Sequence, residues 1–498
     1  MRSAEQHRAR TLKIEQLRAG GAPRVLELCS GCGGLALGLK SAGFELAAHI
    51  EADPLAAESY ALNFAADEQT RARWAVARDM VECSADDLVN DLELGSETTA
   101  VFDILAAGLP CQAFARIGRS KLRELAGGEH DAFRKDPRAA LYRRFLDYVT
   151  DTQPLAIIIE NVPDILNFGG HNVPEEICEV LEDAGYRAAY TILNAAYYGV
   201  PQIRERLFLI AIADTLNVEP TFPDPTHFVE LPRGYESSRS VALKYVAPDS
   251  RRFRPIHRPD RSLGKAVSVR EALGDLPKIQ EHWSDPKAMR RRHVTDRLPY
   301  RKGTKLSDYA QLMRTWSGFE SLVDVDGHVV RLTPRDFPIF ARMSHGADYP
   351  RARAIAEAMF ARELDMRGIA PGLKDSPARA ALWKAMVPPY DPAKFPNKWW
   401  KMDPFRPSRT LTAHIGKDTY SHIHYDSQQR RTVSVREAAR LQSFPDGFRF
   451  AGAMNAAFRQ IGNAVPPLLA KAVAEQLRKD LMGAAAALPR AIRRSRAA

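Results

Sequence analysis

The sequence lacks the features that place a protein in a membrane or outside the cell. No run of about 18 consecutive apolar residues occurs, so no membrane span is expected. Residues 1–20 have no apolar signal core and predict a basic, helical extension. The five cysteines are too few and too scattered for a disulfide framework. These absences together predict a protein of the reducing cytoplasm.

Acidic residues are fewer than basic ones. The 61 Asp and Glu stand against 71 Lys and Arg, which gives a net charge of +10 and an isoelectric point near 9.3. This balance favours an anionic partner, nucleic acid first, although many basic proteins bind no nucleic acid. A dense basic run at 289–305 is by itself typical of a solvated surface.

Short apolar runs alternate with helical patterns in the first half of the chain. Runs at 24–29, 102–108, 155–162 and 206–213 predict strands, and hence an α/β fold with a doubly wound, mostly parallel sheet. After residue 222 the alternation fades, and prolines, aromatics and arginines increase. The predicted organisation is an N-terminal extension (1–19), a first domain (20–222 plus 430–484), a second, irregular domain (223–429) and a basic tail (485–498).

One short pattern occurs twice in the second half of the chain. "SVREAL" at 268–273 returns as "SVREAA" at 434–439, each with serine three residues before glutamate. That spacing is the capping box of a helix start. We predict two helix N-termini rather than a duplicated domain, because the flanking sequences do not match.

The stretch "LELCSGCGGLALGL" predicts a nucleoside-binding turn. Gly31, Gly33 and Ala36 fit G-x-G-x-x-A between a strand and a helix, where glycine lets a ligand approach the backbone amides. Glu51 ends the next predicted strand, where an acid can hold ribose hydroxyls. The pattern does not separate NAD from S-adenosylmethionine. The Cys29-x-x-Cys32 pair within it could also be a redox pair or half of a zinc site.

Three further polar segments stand at predicted strand ends. They are Pro110-Cys111-Gln112, Glu160-Asn161-Val162 and Gln202-Ile203-Arg204-Glu205-Arg206. In a doubly wound sheet the carboxyl ends of the strands converge on one crevice, so a thiol, a carboxyl and two guanidinium groups are expected beside the nucleoside turn. Each alone has a structural alternative, as a packed cysteine, a surface acid or a salt-bridge partner.

At this point the chain resembles the bacterial-type DNA (cytosine-5) methyltransferase family. The resemblance implies a Rossmann-like, S-adenosylmethionine-dependent methyltransferase fold and makes 223–429 a target-recognition domain. The segments that match run in family order from residue 25 to about 475: "LELCSGCGGLALGL", "IEADPLAAESYALNF", "ARDM", "DILAAGLPCQAF", "DPRAALYRRFL", "IIENV", "QIRERLFLI", "RPSRTLTAHIGKD…VREAARLQSFPD" and "RQIGNAVPPL".

The resemblance also implies roles for individual residues. Cys111 would be the nucleophile that adds to carbon 6 of cytosine. Glu160 would hold the exocyclic amino group and support protonation of ring nitrogen 3, while Arg206, with Arg204, would bind the carbonyl oxygen. No metal is implied. The residues implied to bind S-adenosylmethionine are Cys29, Gly31, Cys32, Gly34, Glu51, Asp79, Pro110, Leu141, Asn463 and Ala464.

The partner implied by the family is double-stranded DNA, with the target base flipped out of the helix. A monomer acting on DNA in the cytoplasm, associated with the nucleoid, is the expected form. A restriction endonuclease or another phage-defence system would be its functional partner. That context makes the basic run at 289–305 a candidate DNA contact.

Three residues depart from the family pattern. Cys29 stands where phenylalanine is usual, and Ala52 stands where a bulkier apolar residue is common, so the adenine would be less tightly enclosed. Ala115 replaces a frequent serine after Pro-Cys-Gln. Three alternatives stay open: a tRNA cytosine-5 methyltransferase, a catalytically silent DNA-binding regulator, and a nucleotide-dependent oxidoreductase.

Overall fold

The computed structural model describes residues 2–110, 137–168, 170–232, 234–369, 376–416 and 420–488. Cys111, Ala115 and most of the predicted basic tail lie outside these ranges. The central element is a six-stranded sheet. Its strands are β1 (Arg24–Leu28), β2 (Glu45–Ile50), β3 (Ile104–Ala107), β4 (Ala156–Asn161), β5 (Tyr186–Asn194) and β6 (Glu205–Ala213).

The spatial order of the sheet is β2-β1-β3-β4-β6-β5. β1 pairs in parallel with β2 and β3, and β3 with β4, whereas β6 runs antiparallel to both β4 and β5. The predicted mostly parallel α/β sheet is therefore confirmed. Sequence analysis missed β5, because its run "YRAAYTILN" mixes polar and small apolar residues and has no strong strand signature.

Helices cover both faces of the sheet, since successive residues of a strand point to opposite sides. Leu105 and Ile157 face one core, and their neighbours Ile104 and Ile158 face the other. The helices of the first part of the chain are α1 (Arg2–Arg18), α2 (Gly34–Ser41), α3 (Pro54–Phe64), α4 (Glu68–Trp74), α5 (Ala85–Asp91), α6 (Thr98–Val101), α7 (Pro137–Thr152), α8 (Val173–Asp183) and α9 (Tyr235–Ala242).

The predicted N-terminal extension is a helix docked on the sheet. Ile14 and Leu17 of α1 lie in the core, and Lys13 is buried at the end of α7. Lys13 Nζ donates to the carbonyl oxygens of Phe102, Thr152 and Gln153 at 2.5, 2.7 and 3.0 Å. Burial lowers the pKa of this lysine to about 7. These contacts attach α1 to the sheet.

The helices between 269 and 387 do not share one core. Those at 269–273 and 308–315 pack into the core of the sheet, and those at 337–386 form a second core with Trp399, Tyr420 and Ile423. Met289 lies in a small separate cluster with Ile279 and Val330. In chain order the helices are α10 (Val269–Leu273), α11 (Glu281–Ser284), α12 (Pro286–Arg291), α13 (Asp308–Thr315), α14 (Phe337–Arg342), α15 (Tyr349–Met366), α16 (Pro377–Met386), α17 (Val435–Leu441), α18 (Met454–Asn463) and α19 (Pro467–Ala487). The short strands are β7 (His227–Phe228) with β8 (Gly264–Lys265), β9 (Leu298–Pro299) with β10 (Asp324–Val325), and β11 (Trp399–Lys401) with β12 (Tyr420–Ile423).

Both predicted capping boxes form. Ser268 and Glu271 close the start of α10, and Ser434 and Glu437 close the start of α17. Glu437 is buried and also binds Arg431, with Nη1–Oε2 and Nη2–Oε1 distances of 2.6 and 2.7 Å. This ion pair fixes the segment that precedes α17 to the first turn of that helix.

The last helix, α19, packs on α2. A Cβ on Gly38 would lie 2.4 Å from Ala470 Cβ, so the two helices touch where glycine allows it. α19 continues to Ala487, three residues past the predicted boundary at 484. Within the described residues, no helix combines the length and the apolar character needed to cross a membrane.

Candidate active site

A cavity of about 550 Å³ opens at the carboxyl ends of the strands, within the usual size range of cofactor sites. Its walls come from the turn after β1, the ends of β2, β3 and β4, and the segment that joins α18 to α19. Nine of the ten residues predicted to bind the cofactor line it, namely Cys29, Gly31, Gly34, Glu51, Asp79, Pro110, Leu141, Asn463 and Ala464. Cys32 does not.

The glycine turn is built as its sequence predicts. Gly31 and Gly33 have φ of 56° and 92°, in the left-handed region that favours glycine, and Gly33 is the N-cap of α2. Glu51 Oε2 accepts a hydrogen bond from Gly31 N at 2.7 Å, and Oε1 accepts one from Asp53 N at 2.8 Å. Each oxygen keeps a lone pair for a ligand. Burial raises the pKa of Glu51.

The opposite wall closes over Gly34. A Cβ at Gly34 would lie 2.3 Å from Val465 O and 3.1 Å from Ala464 Cβ. The packing of α19 on α2 therefore brings Asn463 and Ala464 to the cavity, as the predicted roles of these two residues require. At the mouth, Arg459 and Asp53 form an ion pair of 2.7 Å that sequence analysis missed, because nothing local links residues so far apart in the chain.

The two cysteines of the turn have different surroundings. Cys29 lines the cavity, where burial and the neighbouring carboxylates of Glu51 and Asp79 raise the pKa of its thiol to about 12. Cys32 is buried with its Sγ toward Gln460 O, and burial raises its thiol pKa as well. The two thiols therefore face different surroundings, and their raised pKa values argue against the redox alternative, because that role needs a thiolate. No cluster of metal-ligating side chains occurs among the described residues.

Glu160 and Arg206 form a buried pair at the floor of the cavity. Arg206 Nε lies 2.7 Å from Glu160 Oε1, and both side chains are about nine-tenths buried. Burial raises the pKa of Glu160, while the charges of Arg206 and Arg204 act in the opposite direction. A carboxyl whose pKa is raised in this way is suited to exchange a proton with a bound base.

Arg204 is close to this pair but does not line the cavity. Its guanidinium donates to the carbonyl oxygens of Leu411, Gly462 and Ala464 at 2.6, 2.8 and 3.3 Å. These contacts join the loop before β6 to both ends of the Asn463 segment. In this structure Arg204 is placed to orient its neighbours rather than to touch a ligand.

The segment that precedes Cys111 is also fixed. Asn161 Nδ2 donates to Leu109 O at 2.8 Å, and both residues line the cavity with Pro110. Cys111 itself is outside the described residues. The strand end that carries Glu160 therefore also holds the residues next to the predicted nucleophile.

A Rossmann-like sheet with a glycine turn, an acid at the end of β2 and a cavity at the strand ends defines an α/β enzyme that binds an adenosine-containing cofactor. The sequence matches the description "C-5 cytosine-specific DNA methylase" over residues 23–479. The chain belongs to this family, and its activity is that of a DNA (cytosine-5-)-methyltransferase.

Individual proteins show the same relationship. M.OihORF3336P of Oceanobacillus iheyensis is 39% identical over 472 residues, which cover 93% of this chain and 96% of that protein. The type II methyltransferase M.AgeI of Thalassovita gelatinovora is 28% identical, with 91% and 99% coverage. A solved structure described as a prophage-encoded DNA modification methyltransferase (E. coli) is 21% identical, covers 92% of this chain and 99% of its own, and has a TM-score of 0.55, which shows a shared fold.

Proposed function

We propose that this methyltransferase acts on cytosine within a specific duplex DNA sequence, through a covalent bond from Cys111 to carbon 6 of a flipped-out base. The observation that supports this most strongly is the buried Glu160–Arg206 pair, 2.7 Å apart, in the same cavity as the glycine turn and Pro110. A flipped base entering the cavity would meet a carboxyl, a guanidinium and the predicted nucleophile together.

The cavity residues fit S-adenosylmethionine. The buried carboxyl group of Glu27 and the partly buried one of Glu51 both line the cavity, as acceptors for the hydroxyl and amino groups of such a cofactor. Glu51 would hold the ribose hydroxyls, Asp79 the adenine amino group, and Gly31 with Gly34 the methionine end. Bound there, S-adenosylmethionine supplies the methyl group for carbon 5.

The protein side of the reaction follows from these groups. The Cys111 thiolate adds to carbon 6, and the electron pair moves toward carbon 5, which becomes nucleophilic. Glu160 shares a proton with ring nitrogen 3 while the charge develops, and Arg206 stabilises the carbonyl oxygen. After carbon 5 is methylated, a base removes its proton, the bond from sulfur to carbon 6 breaks, and the thiolate is released. Arg204 acts as a positioning residue through the carbonyl oxygens it binds.

The test uses purified protein, labelled S-adenosylmethionine and unmethylated duplex DNA. We expect 5-methylcytosine from the wild type and none from Cys111→Ala, with Cys83→Ala as the matched cysteine control away from the cavity. A duplex that contains 5-fluorocytosine should trap a covalent adduct. Methyl transfer to tRNA but not to DNA would favour a tRNA cytosine-5 methyltransferase. No transfer to any nucleic acid would favour a catalytically silent DNA-binding regulator.

We further propose a role in restriction-modification, because M.AgeI, a type II methyltransferase, aligns with nearly the whole chain. Methylation mapping in a host that expresses the protein should show one short modified sequence. DNA from that host should then resist endonucleases that cut this sequence. Methylation scattered over unrelated sequences would contradict this role.

A further inference from the structure

A second and larger cavity lies outside the cofactor site. It has a volume of about 1630 Å³, and none of its lining residues lines the cofactor cavity. Its walls are the β7–β8 pair, the start of α10, the loop 301–307, the segment 404–407 and the turn 425–427. We call it the basic cleft, for the exposed cations that line it, which are Arg261 and five others: Lys265, Arg270, Arg301, Lys305 and Arg406.

None of these five cations forms an ion pair with another described residue. Three of the four acids of the cleft, in contrast, have a cation partner. Glu230 pairs with Arg261, whereas Glu271 accepts hydrogen bonds from Ser268 N and Oγ and forms no ion pair with another described residue. Asp275 and Asp426 also bind cations, which are Arg314 and Arg440 for Asp275 and Lys278 for Asp426. Five unpaired cations therefore stand against one unpaired acid, Glu271, and the cleft presents net positive charge, as a surface for a polyanion does.

One large apolar side chain stands on the wall of this cleft. Phe405 is 72% exposed, although phenylalanine side chains are usually buried. Its backbone is held on both sides. Asp403 Oδ1 accepts from Phe405 N at 2.9 Å, and the carbonyl oxygens of Pro404 and Arg406 each accept a hydrogen bond from the start of α10 at 2.9 Å. Because the backbone around Phe405 is already held by these hydrogen bonds, a ligand that binds the ring causes little further loss of conformational entropy.

The Phe405 segment is joined directly to the active-site loop. Ser408 N donates to Pro201 O at 2.9 Å, and Ile203 N donates to Ser408 O at 2.9 Å. That loop leads to Arg206. Three residues of extended chain span roughly 10 Å, so Phe405 is within about three base-pair steps of the active-site loop.

We propose that Phe405 inserts between stacked bases of the bound duplex, beside the target cytosine, while the five cations bind the flanking phosphates. The inference rests on the proposed action on duplex DNA and adds the residue that stabilises the distorted helix. Removing a base from the stack leaves an apolar gap, and an aromatic wedge offsets part of the unstacking free energy. Phe405 is then a positioning residue for the known reaction.

The experiment compares Phe405→Ala and Phe405→Trp with the wild type on a duplex that carries the mapped target sequence. Phe395→Ala is the matched control, since Phe395 is 49% exposed but does not line the cleft. We expect Phe405→Ala to lower kcat/KM by about 5- to 150-fold, which corresponds to the loss of one base–aromatic stack. Phe405→Trp should stay near wild type, and the melting temperature should not change in either.

A second duplex tests the wedge itself. When the target cytosine faces an abasic site, less stacking and no pairing must be broken, so the deficit of Phe405→Ala should shrink to about threefold or less. Equal deficits on both duplexes, or activity within about twofold of wild type on the paired duplex, would overturn the proposal. A wild-type protein that methylates no duplex DNA would instead overturn the proposed function, which keeps the two failures separate.

Discussion

Arg204→Met should uncouple the active-site loop from the cofactor wall. The substitution keeps the length and apolar stem of the side chain but removes its donors to Leu411 O and Gly462 O. Ala464 O retains a donor, because Gln442 Nε2 binds it at 2.6 Å. Two buried carbonyl groups are therefore left without a partner, at about 1–3 kcal/mol each.

The expected loss in the free energy of unfolding is about 3 kcal/mol, since removal of a desolvated guanidinium offsets part of the cost. Burial holds the pKa of Arg204 well below its usual range, which is the sign of that desolvation. The same change should weaken S-adenosylmethionine binding severalfold, because Gly462 and Ala464 flank Asn463 in the cavity wall.

Urea unfolding and calorimetric titration with S-adenosylmethionine measure the two effects. Arg187→Met is the control, an arginine on the surface that pairs with Glu219 and should change the free energy of unfolding by no more than about 0.5 kcal/mol. Arg204→Lys should fall between wild type and Arg204→Met, since one donor group remains. If Arg204→Met unfolds within about 1 kcal/mol of wild type and binds the cofactor normally, the coupling inferred from these hydrogen bonds is wrong.

Three further predictions concern packing and charge. Gly34→Ala should raise the Kd for S-adenosylmethionine, measured by calorimetry, at least about tenfold, because the new Cβ would lie 2.3 Å from Val465 O. Gly483→Ala is the control and should leave this Kd unchanged, because the space around Gly483 is open. Glu437→Gln should lower the free energy of unfolding by about 3–5 kcal/mol at pH 7. Arg431 holds the pKa of Glu437 well below 4.5, so this stabilisation is present above pH 4.5 and is lost as the pH falls through the pKa of the folded state. In urea unfolding, the difference in the free energy of unfolding between wild type and Glu437→Gln should therefore be smaller at pH 4 than at pH 7. Lys13→Met should lower the free energy of unfolding by about 2 kcal/mol or more in the same assay, because it leaves buried carbonyl groups unpaired. An unchanged free energy of unfolding would exclude a stabilising role for the contact between α1 and the sheet.

Local features of the sequence were sufficient for much of the fold and the chemistry. The glycine turn, the two capping boxes and the apolar strands depend on residues within a few positions of each other, and all of them form. The acid at the end of β2 also lies where its spacing from the turn predicts. Dihedral preference and short-range hydrogen bonding act over such distances, so these elements can be derived from the sequence.

What only the tertiary structure decided depends on contacts between distant parts of the chain. Arg204 was predicted to bind the substrate with Arg206, but its hydrogen bond to Gly462 joins residues 258 positions apart and turns it from the cavity. The adjacent Cys29 and Cys32 separate into a cavity wall and a buried core. The region 223–429, expected as one domain, shares its first part with the main core. No periodic pattern in the sequence predicts these long-range contacts, because they depend on which surfaces meet when the helices pack on the sheet.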